Sequence, residues 1–134
     1  MSHFLDTNIC IRYLNNSSPG VRAKLDAFDL DKMKIPSVVA AELLYDAAKS
    51  ARRERNLPRF RLFLQQFEIA YFDYAAAEMY GDIRSALERQ GARIGWNDLL
   101  IAAIVKANGG VLVTNNTREF SRVDGLALDD WTMD

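Results

Sequence analysis

Short apolar runs alternate along this chain with longer stretches in which apolar residues recur every three or four positions. That alternation restricts the fold more than any other feature, because strands interleaved with helices form a parallel sheet covered on both faces. Residues 2–5 read as a strand and 7–14 as a helix, with a turn over Asn15–Gly20. Pro19 can open a second short helix to about Phe28. "MKIP" (33–36) reads as a strand stopped by Pro36, and Ser37 as the cap of a helix carrying Val38, Val39, Leu43 and Leu44. Leu57, Phe60, Phe63, Leu64 and Phe67 mark an amphipathic helix over 51–68, and "IAYF" (69–72) a third strand. Ala76, Met79, Tyr80, Ile83 and Leu87 line one face of a helix ending at Gly91. The apolar run Leu99–Val105 predicts a helix buried on most sides and stopped by Gly109-Gly110. "VLV" (111–113) and "LAL" (126–128) supply the fourth and fifth strands. The expectation is an α/β three-layer sandwich, a short parallel sheet flanked by helices, as one domain over 1–134.

Composition removes several function classes. Lys and Arg number 17 against 18 Asp and Glu, a net charge of −1, so contact with nucleic acid must come from local patches. The lone Cys10 rules out an intramolecular disulfide, and no Cys/His cluster points to zinc. There is no charged-then-apolar leader and no apolar run long enough to span a bilayer, so a cytoplasmic protein is expected.

In open parallel sheets, ligands bind beyond the carboxyl ends of the strands, where the strand order reverses. The first strand runs into Asp6-Thr7-Asn8 and the fourth into Thr114-Asn115-Asn116-Thr117; as neighbours, their tips would share one crevice. Glu42 lies on the early turns of the 37–48 helix, and Asp98 opens the most apolar helix after Gly95-Trp96-Asn97. Singly, each acid has a plain structural reading. Asp6 can cap a helix, Asp98 can face a helix dipole, and Glu42 can point to solvent. Together they make a shared cation site, because clustered carboxylates repel one another until a cation or protons neutralise them. Hard oxygen ligands suit Mg²⁺ or Mn²⁺, which can activate water and stabilise charge on a phosphoryl group. His3, the single histidine, lies ahead of the strand's acidic end and is no base.

The blocks "FLDTNICIRYL", "SVVAAELLYDA", "IGWNDLLIAAI" and "VLVTNNTREFSRVDGLALDDW" together resemble the PIN-domain ribonucleases, and more closely the VapC toxins of bacterial toxin–antitoxin pairs. They occur in family order and spacing across essentially the whole chain. The resemblance implies a toxin endoribonuclease that uses Mg²⁺, or Mn²⁺, held by Asp6, Glu42 and Asp98. Thr114 and Asn116 would close the pocket. Asn116 stands where many PIN domains carry a fourth acid, a departure that lowers the negative charge and leaves an amide to hold a bound water or an acid. Trp96 replaces an expected proline or small residue and would stack on a base or pack against a neighbouring subunit. Thr7, Asn115, Arg93 and Arg118 complete the substrate contacts, with Arg118 gripping a phosphate or pairing with Glu119. Similar toxins form homodimers, are held inactive by a VapB-type antitoxin, and cut RNA, in close relatives the anticodon stem-loop of initiator tRNA.

Other features divide between chemistry and structure. Lys49, Arg52, Arg53, Arg55, Arg59 and Arg61 read equally as an RNA patch or a solvated helix face. Phe60, Phe63, Leu64 and Phe67 read as core, with a partner-binding groove as the alternative. Cys10 reads as buried, Trp131 as packing the tail, and Asp46, Asp82, Asp129 and Asp130 as surface charges. Two other classes compete with the nuclease: a catalytically weak PIN-fold module acting through an antitoxin and DNA, and an unrelated receiver or phosphatase domain. The receiver lacks its paired acids after strand one and its lysine after the last strand.

Overall fold

The computed structural model describes residues 1–133. Strands β1 (His3–Leu5), β2 (Met33–Pro36), β3 (Glu68–Ala70), β4 (Val111–Val113) and β5 (Ala127–Asp129) form one sheet, ordered β3-β2-β1-β4-β5 and parallel throughout. Between them run α1 (Thr7–Leu14), α2 (Pro19–Ala27), α3 (Ser37–Lys49), α4 (Arg53–Gln65), α5 (Tyr74–Arg89), α6 (Trp96–Ala107) and α7 (Thr117–Phe120). The helices pack as two groups, α1 with α2 and α3 with α4, then α5 with α6. Right-handed crossovers place these groups on opposite faces, which gives the expected three layers.

The chain moves outward from β1 to β2 and β3, then returns to the other side of β1 for β4 and β5. The order therefore reverses between β1 and β4, and their connections diverge to leave a crevice at the carboxyl ends. Phe4 and Leu5 pair with Leu112 and Val113 across that boundary, and all four are fully buried. Ile101 to Val105 of α6 are fully buried too, as the apolar run predicts. Gly109, at φ +63°, takes the left-handed turn that ends α6. A Cβ on Gly110 would run into the Phe4 ring, so the bare backbone is what lets β1 lie close.

Several local readings change. Ser37 is not the cap of α3; the helix starts directly off β2 with Pro36 as N-cap, and the Ser37 hydroxyl accepts the Phe72 N–H at 3.3 Å. With no loop there, Glu42 is held rigidly relative to the sheet. Helix α4 begins at Arg53 and ends at Gln65, β3 ends at Ala70, and β5 begins at Ala127. The basic stretch is partly structural: Arg59 Nη2 donates to the Leu14 carbonyl at 3.0 Å and ties α4 to the end of α1. Arg52, Arg55 and Arg61 remain exposed. Phe60, Phe63, Leu64 and Phe67 belong to the core. Asp129 is not a free surface charge, since it accepts the Trp131 indole N–H at 3.0 Å, and Asp130 caps the turn at Thr132. No helix among the described residues is long and apolar enough to cross a membrane.

Candidate active site

Asp6 stands where β1 stops and α1 starts. Its N–H donates to the Val113 carbonyl at 3.0 Å, extending the β1–β4 ladder by one residue and fixing the backbone that carries the acid. Only 5% of the residue is exposed. One carboxylate oxygen accepts the Thr7 N–H at 2.8 Å, and the other accepts the Thr114 hydroxyl at 2.8 Å. The Thr7 bond makes Asp6 the N-cap of α1, so the capping and acidic roles coexist in one side chain. Thr114 is fully buried; its N–H donates to the Asp129 carbonyl, and its hydroxyl oxygen accepts the Asn116 N–H at 3.0 Å.

Glu42 arrives from α3, half-buried rather than directed at solvent. Its Oε1 accepts the Thr7 hydroxyl at 2.6 Å, and its Oε2 accepts the Asn97 amide at 3.3 Å. Asp98 lies in the first turn of α6, where the helix dipole favours a negative charge. A further acid joins it from α7. Glu119 accepts the Gly95 N–H on Oε1 at 2.6 Å and the Asn116 side-chain amide on Oε2 at 3.0 Å. A Cβ on Gly95 would sit 3.7 Å from Asp98 Oδ2 and 3.8 Å from Glu119 Oε1, so both carboxyls close over the same glycine.

These acids feel one another. Burial raises the Asp6 carboxyl above its usual range, against the Thr114 and Thr7 hydrogen bonds, and the charges of Glu42 and Glu119 add to the rise. Asp98 is pushed up to about 7, first by burial and then by the charges of Asp6 and Glu119. Burial opposes ionisation of Glu119 as well, but the Gly95 N–H, the Asn116 amide, Asp98 and the Arg122 charge outweigh it and lower its value. Of this pair, Asp98 is the carboxyl that takes up a proton more readily and Glu119 the one that stays ionised.

The structure brings Asp6, Thr7, Glu42, Asp98, Thr114 and Asn116 into one hydrogen-bonded cluster with Asn97 and Glu119, which the sequence reading did not assign. Glu119, not Asn116, supplies the fourth negative charge, and Asn116 braces it. The pattern Asn116-x-x-Glu119 at the start of α7 is a capping-box signature that could have drawn attention to Glu119. Thr7 and Thr114 spend their hydroxyls on Glu42 and Asp6. Asn115 buries an amide oxygen that has no hydrogen-bond partner among the described residues and joins none of the acids. Arg118 is exposed and makes no salt bridge among the described residues; the pairing with Glu119 is not formed. Arg93 and Trp96 are exposed beside the acids and line a neighbouring cleft.

The donor set suits a hard divalent cation: four carboxylates on one crevice, with no nitrogen or sulfur ligand among them. Burial, and after it the neighbouring carboxylates, raises Asp6 and Asp98, and a cation would favour their ionised forms. Among the described residues, no three Asp, Glu, His or Cys side chains are already drawn close enough to ligate one ion. The oxygens of Asp6, Glu42 and Glu119 instead accept protein N–H and O–H groups.

The PIN domain family model matches residues 3–126. The chain is 42% identical over 132 residues to the tRNA(fMet)-specific endonuclease VapC of Shigella flexneri, covering 98% of this chain and 99% of that one. It is 39% identical to ribonuclease VapC2 of Rickettsia felis, with 98% of each covered. Among solved structures, DNA-bound VapBC from Salmonella typhimurium superposes with a TM-score of 0.92 at 37% identity, covering 98% of both chains. VapBC2 from Rickettsia felis, bound to a DNA fragment from its promoter, gives 0.89 at 39% identity over 98% of this chain and 99% of that one.

Proposed function

Since the chain belongs to the PIN-domain family and to its VapC ribonucleases, we propose that it is a toxin endoribonuclease dependent on a divalent cation. One observation carries this reading: the tip of β1 delivers Asp6 to the same crevice as Asp98 and Glu119, with Glu42 tied to Thr7 beside them. Asp6, Asp98, Glu42 and Glu119 would hold Mg²⁺ or Mn²⁺. When bound, such an ion lowers the pKa of water and stabilises the charge that develops on a phosphoryl group.

The chain's own groups have separable tasks. Thr114 and the Thr7 N–H fix the orientation of the Asp6 carboxylate, and Thr7 with Asn97 fixes Glu42. Asp98, with its carboxyl pushed up to about 7 by burial and its acidic neighbours, is a group that a bound cation would hold ionised. Asn116 and Gly95 hold Glu119 against Asp98. Arg93 and Arg118, both exposed and next in sequence to the segments that carry Asp98 and Glu119, would clamp the phosphates flanking the cleaved bond.

The likeness to the tRNA(fMet)-specific enzyme of Shigella makes tRNA the substrate of choice, with the initiator anticodon stem-loop first and inhibition of translation as the consequence. The likeness to DNA-bound VapBC complexes supports a VapB-type antitoxin partner and a role for the complex on promoter DNA; the reading is completed by a homodimer acting in the cytoplasm. The test is cleavage of initiator tRNA by purified protein with Mg²⁺ or Mn²⁺. Asp6→Asn should lose at least ~10²-fold in rate. Undiminished cleavage by that variant would remove Asp6 from the chemistry, and antitoxin binding with no cleavage at all would leave only a binding module.

A further inference from the structure

We propose that the cleft between α5 and the start of α6 receives one unpaired RNA base, stacked on the indole of Trp96. The proposal rests on the ribonuclease reading and adds to it a site that sets which phosphate reaches the acids. The cleft holds about 600 Å³, within the ~300–1,000 Å³ typical of small-ligand sites. Its walls are the apolar parts of Leu87, Ile94 and Leu99, with Arg84, Arg93 and Trp96 around them.

Trp96 is 66% exposed, on the first residue of a helix whose Ile101–Val105 stretch is fully buried. Packing alone does not account for a large apolar ring left in water. The ring is also braced: the Arg84 guanidinium lies 4.7 Å from the indole centroid, and Arg84 is itself held by the Tyr80 hydroxyl at 3.2 Å and Glu88 at 3.4 Å. A guanidinium on an indole is a pre-formed platform for a further flat ring. Arg84 and Arg93 give the cleft a basic rim, with Glu88 already engaged by Arg84, so an incoming phosphodiester meets no free acid there.

The cleft meets the acidic cluster at Gly95, which lines the one and hydrogen-bonds Glu119 of the other. Trp96 follows Gly95, whose N–H holds Glu119, and precedes Asp98 by two residues. A base on Trp96 would therefore present its adjacent phosphate to the acids and select nucleotides that are not paired. A base stacked on an aromatic ring strengthens binding by ~1–3 kcal/mol, which is about 5- to 150-fold.

Tryptophan fluorescence can read this directly, because the only other tryptophan, Trp131, is fully buried. A short single-stranded RNA oligonucleotide, titrated into the full chain in EDTA, should quench the exposed indole. Trp96→Ala should weaken binding about tenfold or more and raise KM for tRNA cleavage with little change in kcat; Trp96→Phe should recover most of both. Removing one base from the oligonucleotide should abolish the quench and the difference between wild type and Trp96→Ala. Equal affinity and equal KM for wild type and Trp96→Ala would overturn the proposal. So would a Trp96→Ala protein that changes only its self-association in sedimentation, since the ring would then serve an interface between copies. Quenching without any cleavage would instead sink the ribonuclease reading and leave the base site standing.

Discussion

The two ends of β1 carry the same kind of problem and resolve it in opposite ways. At one end His3 packs its ring against Phe28, centroids 4.8 Å apart, and stacks over Trp131 at 6.2 Å, with Nδ1 buried and unpartnered. At the other end, three residues along the chain, Asp6 has hydrogen bonds on both oxygens and three more carboxylates nearby. Burial lowers His3, with Asp129 raising it and the N-terminal amine lowering it further, so the imidazole stays neutral at pH 7. Burial raises Asp6, and its acidic neighbours add to the rise. A neutral ring can be absorbed by packing. A set of acids held by hydrogen bonds yet still repelling one another is better suited to binding a cation than to stabilising a fold.

The largest effect that would break this contrast is the loss of cleavage expected for Asp6→Asn. Next in size is Glu119→Gln. If Glu119 supplies the fourth negative charge, cleavage should fall about tenfold or more, while the Gly95 N–H keeps an oxygen acceptor. The same change removes one of the charges that raise Asp98, so the Asp98 carboxyl, followed by NMR in metal-free protein, should titrate lower than in the wild type, with burial and Asp6 still holding it above the ordinary carboxyl range. Full activity with an unmoved Asp98 titration would return Glu119 to a purely structural role.

Glu119 also shows where sequence reading stops. Asp6 and Asp98 are legible because each interrupts or opens an apolar run at a predictable point of a parallel sheet; the adjacency of β1 and β4, only a condition in the sequence, comes from the strand order of the folded sheet. Glu42 needed the family blocks, since helix spacing alone allows a solvent-facing acid. Glu119 sits in a helix of four residues, too short for periodicity, and its partner Gly95 is 24 residues away in sequence. Ser37 departs from its expected role for a related reason. Its composition fits a cap, but the absence of any loop between β2 and α3 leaves its hydroxyl free for Phe72.

A smaller and more diagnostic effect lies in stability against pH without metal. Asp98 has a folded value of about 7 against an ordinary 3.8, so the folded state binds more protons between those values. Stability must therefore rise as pH falls from about 8 toward 5, and Asp6 acts in the same direction. Asp98 is only half-buried, so solvent screening limits the gain to a few degrees in Tm. Asp98→Asn should flatten the curve, and Mg²⁺ should raise Tm more at pH 8 than at pH 5. A Tm that drops on mild acidification down to pH 7 would contradict the repelled acids.

His3 contributes with the opposite sign, which makes it the finest test of the comparison. Its folded value lies below 6.5, so the folded state binds fewer protons than the unfolded chain, and acidification below about pH 6.5 costs stability. The measured curve is then a sum in which the acid end gains while the histidine end loses. Phenylalanine at position 3 would keep an aromatic ring against Phe28 and Trp131, remove the buried Nδ1 that has no partner, and abolish the titration. His3→Phe should raise Tm by a few degrees, consistent with about 1 kcal/mol for an orphaned polar atom, and steepen the gain between pH 6.5 and 5. Cleavage should be unchanged, because His3 lies at the far end of β1 from Asp6 and touches no residue of the acidic cluster. A His3→Phe protein that lost activity while folding normally would show that the two ends of the strand are coupled through it.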